Sequence, residues 1–391
     1  ESMSTDRRQQ ALRFVVGFGI VSLFADFTYE GGHSIVGPYL ASLGASAFFA
    51  GAVGGAGEFL GYSVRLFSGR FVDRTHRHWL AISVGYVVNL VSVPLMALAG
   101  TPWLAGALVF TERLGKGVRV PARDALLAEA GHELGHGYAF GLHEFLDQVG
   151  AVLGPVVVSA AVAYSGYRLG FAVLVAPALV ALVFLWRLRG RHAHDSRPPP
   201  SLHLQGLSPA FFVYLVFSVV SVLGYVHFVI VTYHLQYTHR LAPALIPLLF
   251  GLAMGVDAVA AFLSGWLYDR FGMKVVLGLP LLALPAMPLL FLAESPSLIW
   301  LGGALWGAAM GFQESAGRAG VATLTPAHLR GTAYGLFDTA FGLAWFLGSL
   351  MLGALYTQGA LYLTAAAVAC QLLSIPFLLG AMRLKARAAK A

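Results

Sequence analysis

A seven-residue pattern occurs twice in this chain, and the second copy follows the first by about half of the chain's length. Residues 68–74 read Ser-Gly-Arg-Phe-Val-Asp-Arg, and residues 264–270 read Ser-Gly-Trp-Leu-Tyr-Asp-Arg, 196 positions later in a chain of 391. A repeat of this period sets the architecture, so it is interpreted before any local pattern. Each copy stands between two long apolar segments, and we expect it to form a short loop between two membrane helices. Two similarly oriented halves of this kind are typical of membrane transporters.

The composition supports a membrane protein. Hydrophobic residues make up 58% of the chain and charged residues only 11%, whereas a soluble domain carries about 25% charged residues. The net charge of +7 would suit nucleic acid, but the basic residues cluster at predicted helix ends, as the positive-inside rule requires. We therefore exclude a nucleic-acid partner. The single cysteine, Cys370, excludes an internal disulfide, and Glu1-Ser2 before Met3 is interpreted as a remnant of cloning.

Twelve apolar segments are long enough to cross a bilayer, which takes about 20 residues each. They are predicted at 12–41, 46–67, 79–99, 103–123, 137–163, 167–187, 209–237, 243–264, 275–293, 298–322, 331–356 and 359–382. A polar, Arg- and Pro-rich stretch at 188–208 divides them into six and six. We thus predict an N-terminal tail at 1–11, one six-helix half at 12–187, a linker at 188–208, a second half at 209–382 and a C-terminal tail at 383–391.

The distribution of Lys and Arg predicts the orientation of the chain. With the N-terminus inside, the predicted external loops hold only Arg168 and Arg240, and the other basic residues outside the helices fall on the internal side. The positive-inside rule then places both termini, the linker and both Gly-Asp-Arg loops in the cytoplasm. The expected location is the cytoplasmic (inner) membrane of a bacterium, in a multi-pass arrangement.

A second repeat relates the fifth helix to the eleventh. Ala139-Phe140-Gly141-Leu142 matches Ala333-Tyr334-Gly335-Leu336, at a shift of 194. With two repeats, twelve segments and a central linker, the chain resembles the major facilitator superfamily over essentially its whole length. That resemblance implies an all-α integral membrane fold of 12 transmembrane helices in two parallel six-helix halves. It also implies that the Gly-x-x-x-Asp-Arg copies form the cytoplasmic gate, namely Gly69, Asp73, Arg74, Gly265, Asp269 and Arg270.

Two further patterns are similar to those of bacterial proton-coupled efflux antiporters in this superfamily. Arg113-Leu114-Gly115-Lys116-Gly117 resembles an Arg-x-x-x-Gly motif of the fourth helix. In the fifth helix, Gly150, Gly154 and Pro155 resemble the antiporter motif Gly-x-x-x-Gly-Pro, although Val158 and Ser159 replace the paired glycines that usually follow. The resemblance implies export coupled to proton entry.

Ionisable residues at membrane depth are costly, and each is a candidate functional residue. Spacings of four and seven residues place Asp26, Glu30 and His33 on one face of the first helix. We predict that Asp26 and Glu30 are protonated during transport and that Arg113, near mid-bilayer on the fourth helix, tunes their affinity for protons. A structural ion pair with Arg113 or Lys116 is the alternative, and one carboxylate can do both in different states.

Further polar residues are predicted to line a substrate cavity. In the N-terminal half they are His33, Glu58, Lys116, Arg119, His143, Glu144 and Asp147. In the C-terminal half they are His227, Gln313, Glu314 and Asp338, with Trp306, Phe312, Trp345 and Phe346 as aromatic candidates. Asp338 corresponds to Glu144 in the repeat.

The sequence thus predicts a secondary transporter that exports a small molecule in exchange for protons by alternating access. Divalent-metal export is one alternative, with Asp26, Glu30 and His33 as candidate ligands because imidazole and carboxylate suit transition metals. Proton-coupled uptake of an organic anion is another. A membrane-embedded enzyme or receptor is disfavoured, since no nucleophile–base motif is present, and neither is a phosphate-binding Gly-Lys-Ser/Thr motif. We expect no cofactor, a lipid bilayer as surroundings and a monomer.

Overall fold

The computed structural model describes residues 2–134, 136–189, 206–326 and 329–388. Within these residues the regular structure is helical, and no β-strand is present. The helices are α1 (Ser2–Ser42), α2 (Ala47–Thr75), α3 (His78–Leu95), α4 (Pro102–Leu134), α5 (His136–Ala172), α6 (Val175–Leu188), α7 (Pro209–Leu223), α8 (Phe228–Tyr237), α9 (Leu245–Phe271), α10 (Gly278–Phe291), α11 (Pro296–Phe312), α12 (Arg318–Thr323), α13 (Arg330–Gln358) and α14 (Ala360–Ala388). Most of the predicted linker lies outside the described residues.

Seven helical stretches in this part of the chain are long and apolar enough to cross a membrane. Two of them, Gly141–Leu188 with 48 residues and Leu245–Phe291 with 47, have more than twice the length that one crossing needs, about 20 residues. Ser165 and Gly166 leave helical geometry inside the first of these two. The all-α membrane fold is therefore confirmed, whereas twelve crossings and cytoplasmic termini stay predictions.

The two Gly-Asp-Arg copies are helical, and our expectation that they form loops is wrong. Residues 69–74 fall in the last turns of α2, and residues 265–270 fall in the last turns of α9. Both helices carry a basic residue in their final turn, Arg74 and Arg270. A cation at that position interacts favourably with the helix dipole, which favours continuing the helix through the motif.

The sequence repeat is also a repeat of contacts. Ser68 Oγ donates a hydrogen bond to the carbonyl of Gly117 at 2.8 Å. At the corresponding position of the second repeat, Ser264 Oγ donates to the carbonyl of Gly311 at 3.3 Å. The serines are 196 residues apart and the glycines 194. Each motif therefore begins with a serine that hydrogen-bonds to a neighbouring helix. That helix is α4 for Ser68 and α11 for Ser264, and the two helices occupy corresponding places in the repeat.

Close helix packing repeats in the same way. A Cβ at Gly154 of α5 would lie 2.3 Å from the carbonyl oxygen of Phe27 in α1. A Cβ at Gly348 of α13 would lie 2.6 Å from the carbonyl oxygen of Leu223 in α7. Only glycine permits such a backbone approach, because real Cβ atoms do not come this close. Gly348 in the second half is thus the structural counterpart of Gly154 in the antiporter-like motif.

Two irregularities distinguish the second half. Residues 224–227 separate α7 from α8, where a Cβ at Gly224 would lie 2.3 Å from the Cβ of Cys370. Residues Gln313–Gly317 form a π-helical turn between α11 and α12. Single π turns are frequent at functional sites. Broken membrane helices are tolerated where the freed backbone groups line a cavity or face protein.

Contacts divide the described residues into two compact units. The first comprises Glu1–Tyr39, Leu60–Pro199 and Pro243–Gly251, and the second comprises Leu40–Phe59, Pro200–Ala242 and Leu252–Ala391. The first part of α2 therefore packs in the second unit, although the sequence assigns it to the N-terminal half. In the core of the first unit, the ring of Phe14 in α1 packs edge-on against Trp79 of α3. The ring of Phe18, also in α1, packs at a tilt against the same Trp79 and edge-on against Phe14.

Candidate functional site

A buried ion pair joins α1 to α4 in the first unit. Oδ1 of Asp26 lies 3.9 Å from Nη2 of Arg119, and both side chains are buried. The Arg119 guanidinium stands over the ring of Tyr86 at 4.3 Å, and its three nitrogens have no hydrogen-bond partner. Arg119 is only 1% exposed. A buried guanidinium is costly unless an opposite charge or an aromatic face compensates it, so Asp26 and Tyr86 together keep Arg119 in place.

A second polar cluster lies further along the same two helices. Nη2 of Arg113 approaches Nε2 of His33 at 3.4 Å, and Nδ1 of His33 lies 3.6 Å from Oε2 of Glu30. Arg113 and Lys116 both face the ring of Tyr29, at 4.9 Å and 3.7 Å from its centroid. His33 therefore links Glu30 to Arg113 of α4, and the ring of Tyr29 contacts both Arg113 and Lys116.

The antiparallel packing of α1 and α4 explains which residues meet. Asp26 contacts Arg119, whereas His33, seven residues further along α1, contacts Arg113, which lies six residues before Arg119 in α4. We expected Arg113 to act on Asp26 directly. The structure instead places Arg119 beside Asp26, because advancing by two turns along one helix requires going back by about two turns along the other.

Sequence reasoning missed the acidic partner of Arg113. Oε2 of Glu112 lies 3.5 Å from Nε of Arg113. Nδ2 of Asn89, on α3, donates to Oε1 of Glu112 at 2.7 Å and to its backbone carbonyl at 3.2 Å. All three side chains are buried. The signal in the sequence was a lone Asn inside an apolar helix, which is costly in a membrane unless it is hydrogen-bonded.

His143, Glu144 and Asp147 form a polar cluster at the start of α5. Nε2 of His143 is 2.7 Å from Oγ of Ser22 on α1. One donor atom from each of the three residues lies within 4.8 Å of the others, close enough to hold a metal ion. His143 is buried, Asp147 is half-buried and Glu144 is exposed. Asp147 also lies within electrostatic range of Asp26.

The antiporter-like motif fastens α5 to α1 next to the Asp26 site. A Cβ at Gly150 would lie 2.1 Å from the carbonyl oxygen of Leu23, and Gly154 meets Phe27 one turn further along. Pro155 is accommodated inside α5. The two glycines thus bring the backbone of α1 against α5 on either side of Asp26.

In the second unit, Glu58 and His227 form a pair beside the break between α7 and α8. Oε1 of Glu58 lies 3.8 Å from Nε2 of His227, and the imidazole packs against the Trp345 ring at 5.4 Å. Nδ1 of His227 accepts a hydrogen bond from the amide of Val229 at 3.3 Å and so caps α8. His227 is therefore deep and structurally fixed.

Comparison with known proteins identifies the family. Residues 18–349 match the sequence profile of the Major Facilitator Superfamily. The chain belongs to the Major Facilitator Superfamily. An uncharacterised protein of Mycobacterium tuberculosis is 38% identical over 376 residues, covering 93% of this chain and 92% of the relative. An uncharacterised MFS-type transporter of Methanocaldococcus jannaschii is 26% identical and covers 90% of both chains.

Solved major facilitator structures share this fold. The crystal structure of a point mutant of the nucleoside transporter NupG superposes with a TM-score of 0.76 over 95% of this chain and 99% of the other, at 13% sequence identity. Identity this low shows the fold alone. The predicted resemblance is thus confirmed as family membership, and a multi-pass transporter architecture follows from it.

Three further predicted site residues of this major facilitator protein lie in the second unit. Gln313 is buried in the π turn, whereas Glu314 beside it is exposed. Asp338 receives both terminal nitrogens of Arg318, at 3.0 and 3.5 Å, in a partly exposed pair. Asp338 is half-buried and its repeat counterpart Glu144 is exposed, so neither carboxylate is fully buried.

The motif residues at the ends of α2 and α9 are mostly surface groups. Arg74, Asp269 and Arg270 are exposed, and Arg270 lies over the ring of Trp266 at 4.3 Å. Gly69 and Gly265 are half-buried, and a Cβ at Gly265 would press on Ser315 Oγ at 2.7 Å. The side chain of Asp73 lies outside the described part of the structure. Their role as a cytoplasmic gate stays a prediction.

Proposed function

We propose that this major facilitator protein is a proton-coupled antiporter that exports a small molecule by alternating access. The observation that carries the proposal is the buried Asp26–Arg119 pair between α1 and α4. Carboxylates inside a membrane protein are rare and mark proton and substrate pathways. Here the carboxylate is also the counter-charge of a guanidinium that is 1% exposed.

Protonation of Asp26 would have a mechanical consequence. The neutral acid no longer compensates the charge of Arg119, which has no hydrogen bond to its nitrogens. A buried charge without compensation is strongly destabilising, so the protonated state favours an arrangement in which Arg119 finds another partner. Proton uptake is thereby linked to a change in how α1 and α4 contact each other, and such a link is what coupled transport requires.

The direction of transport rests on the antiporter-like motif. Gly150 and Gly154 hold α5 against the segment of α1 that carries Asp26. The motif thus positions the proton site, in agreement with its association with exporters of this superfamily. The proposal includes twelve crossings, cytoplasmic termini, a bacterial cytoplasmic membrane and a monomeric protein.

A flux assay tests the proposal. The full chain is reconstituted into proteoliposomes loaded with a pH-sensitive dye, a pH gradient is imposed, and a compound panel is screened for molecules that accelerate proton movement. For each active compound, Asp26→Asn should abolish the coupled proton flux. The matched control is Glu294→Gln, which neutralises an exposed carboxylate outside the helices. Coupled flux at the wild-type rate in Asp26→Asn would refute the assignment of Asp26.

Export of a divalent transition metal is the second candidate, and the cluster of His143, Glu144 and Asp147 favours it. Arg119 and Arg123 stand within electrostatic range of that cluster and disfavour a cation there. Calorimetry with Ni²⁺, Co²⁺ and Fe²⁺ separates the two functions. Binding lost in His143→Ala would support metal transport at this cluster, and binding lost only in His33→Ala would move the site to α1.

A further inference from the structure

Two cations of the first unit have no carboxylate as a partner among the described residues. Lys116 of α4 and Arg65 of α2 are half-buried, and both lie in apolar segments that are predicted to cross the bilayer. In the part of the chain that the structure describes, no carboxylate oxygen comes within 4.0 Å of their side-chain nitrogens. Nε of Arg65 is also buried without a hydrogen-bond partner. A cation of this kind inside a membrane segment is costly, and it is therefore a candidate functional residue.

The cations on either side of Lys116 in α4 differ from it in this respect. Nε of Arg113 lies 3.5 Å from the carboxylate of Glu112, and Nη2 of Arg119 lies 3.9 Å from the carboxylate of Asp26. Lys116 stands between them in the chain and has no such counter-charge. The charge of Lys116 is thus available to a group from outside the protein.

Each of the two cations lies against a tyrosine ring. Nζ of Lys116 is 3.7 Å from the centroid of the Tyr29 ring, and Cζ of Arg65 is 4.7 Å from the centroid of the Tyr62 ring. The face of an aromatic ring attracts a cation but carries no net charge. An ammonium has three N–H donors and a guanidinium has five. The rings therefore hold the two cations in position and leave their charge and N–H donors for another group.

Helices α2 and α4 run parallel where the two cations lie. A Cβ at Gly117 would lie 2.9 Å from the Cβ of Val64, and Oγ of Ser68 donates to the carbonyl of Gly117. Four residues beyond Gly117, the Cβ of Pro121 would lie 3.7 Å from a Cβ at Gly69. The contacts thus advance in the same direction along both helices.

The register of these contacts turns Arg65 and Lys116 to the same side of the helix pair. Arg65 follows the contact residue Val64 by one position, whereas Lys116 precedes the contact residue Gly117 by one position. Successive residues of an α-helix are rotated by about 100°. On two parallel helices that face each other, one step forward on the first and one step back on the second lead to the same side. The two long side chains can therefore reach one common group.

The side that the two cations share is turned away from the exposed apolar residues of both helices. Arg65 stands two positions before Phe67, which is 70% exposed, and Lys116 stands two positions after Leu114, which is 39% exposed. Two positions correspond to a rotation of about 200°, which is nearly the opposite face of the helix. A bilayer would cover Phe67 and Leu114, so the two cations face the interior of the first unit. A lipid headgroup therefore does not fit as their partner.

We propose that Arg65 and Lys116 together bind an oxyanion of the transported molecule, either a carboxylate or a phosphate. The planar guanidinium of Arg65 would donate to two oxygens of that group. The ammonium of Lys116 would donate to the same group as a compact point charge. The substrate is accordingly an organic anion. The inference rests on the proposed transport function and specifies the substrate class, and it does not depend on the direction of transport.

The test uses three probes that share a naphthalene ring and differ in its polar group. These are 2-naphthoate, 2-naphthyl phosphate and the neutral 2-naphthamide. Their binding to the purified full chain is measured by calorimetry at neutral pH in one uncharged detergent, with detergent blanks. We expect at least one anion to bind about tenfold more tightly than the amide, and the tighter anion identifies the oxyanion. An amide that binds as tightly as both anions, or no binding of any probe, would overturn the proposal without any variant.

Variants then locate the binding. Lys116→Gln and Arg65→Gln should each weaken binding of the preferred anion about tenfold and leave binding of the amide unchanged. Lys116→Arg keeps the charge and should keep the preference for the anion. The matched controls Lys385→Gln and Arg387→Gln remove exposed cations from the last turn of α14 and should bind like the wild type. Unchanged anion binding in both cavity-side variants, Lys116→Gln and Arg65→Gln, or an equal loss in the controls, would contradict the assignment.

This outcome is separable from the outcome of the proposed function. Asp26→Asn should lose proton-coupled flux yet still bind the anion more tightly than the amide. If Lys116→Gln and Arg65→Gln lose this preference while no compound drives proton flux, the antiporter function fails and the anion site stands. If an anion moves in the same direction as protons, only the export direction fails. If flux depends on Asp26 but the amide binds as tightly as both anions, the anion assignment fails alone.

Discussion

Oε1 of Glu58 lies 3.8 Å from Nε2 of His227, although the two residues belong to opposite halves of the sequence repeat. Nδ1 of the imidazole accepts the Val229 amide, so in the neutral ring Nε2 carries the proton and faces the carboxylate. Gly54 provides the space, since a Cβ there would lie 2.8 Å from Nδ1. The pair therefore connects the first part of α2 to the start of α8.

Removing either member of this pair should destabilise the protein, and removing both should cost less than the sum. We expect Glu58→Gln and His227→Asn each to lower the free energy of unfolding by about 1–3 kcal/mol. The interaction energy in the double-mutant cycle should be about 0.5–3 kcal/mol. Denaturant titrations in a single detergent measure these values. Additive effects would show that the two side chains do not stabilise one another.

Neutralising Asp26 alone should be more damaging than neutralising it together with its partner. Asp26→Asn leaves the buried charge of Arg119 without its counter-ion and should cost about 3–5 kcal/mol. In Asp26→Asn/Arg119→Gln both charges are absent, and residue 119 matches its repeat counterpart Gln313, so most of the loss should be recovered. Thermal unfolding of the wild type, the single variant and the double variant compares their stabilities. A double variant less stable than Asp26→Asn would contradict the ion pair.

Glycines that contact backbone should be far more sensitive to substitution than glycines of the same helices that contact nothing. Gly154→Ala and Gly348→Ala force a Cβ against a carbonyl oxygen and should destabilise by about 1–3 kcal/mol. Gly141→Ala in α5 and Gly335→Ala in α13 have no atom within 4 Å of the new Cβ. These controls should be neutral or gain up to about 1 kcal/mol from helix propensity. Unfolding titrations of the four variants measure these changes in stability. Equal effects at the packed and the unpacked glycines would mean that α1 and α7 readily shift away from the new Cβ atoms.

We expect the aromatic face of Tyr29, and not its hydroxyl, to contribute to the stability of the protein. Tyr29→Phe keeps an aromatic face for Arg113 and Lys116, and its stability should be close to that of the wild type. Tyr29→Leu removes that face and should lower the free energy of unfolding by about 1–2 kcal/mol beyond any packing loss. The difference between the two variants, measured in the same detergent, is the informative quantity. No difference would mean that the two cations are held by other groups.

The sequence was sufficient to predict the all-α membrane fold, because its signals are long or repeated. Apolar runs predict the helices, and the paired motifs predict two related halves. The contacts of Ser68 and Ser264 confirm that relation atom by atom. The motifs were predicted as loops because each stands between two long apolar segments, whereas α2 and α9 continue through them.

The sequence suggested candidate residues on α1 and α4 but not the pairs that they form. Asp26 and Arg119 were both candidates, yet their contact depends on the register between two antiparallel helices, which no local pattern encodes. The role of Asn89 likewise depends on α3 reaching Glu112. Gln313 was likewise a candidate, but no pattern in the sequence indicates the π turn that it begins.

The repeated contacts have a consequence for how such a protein can change over generations. The packing glycines Gly154 and Gly348 and the serines Ser68 and Ser264 make equivalent contacts in both halves. The residues that correspond to the charged Asp26, Lys116, Arg119 and Asp147 are instead Val222, Met310, Gln313 and Phe341. Substitution at the packing positions is restricted in both halves, because a Cβ would collide with the backbone in each. The polar positions are free of that restriction, so two halves with one scaffold can diverge in their chemistry.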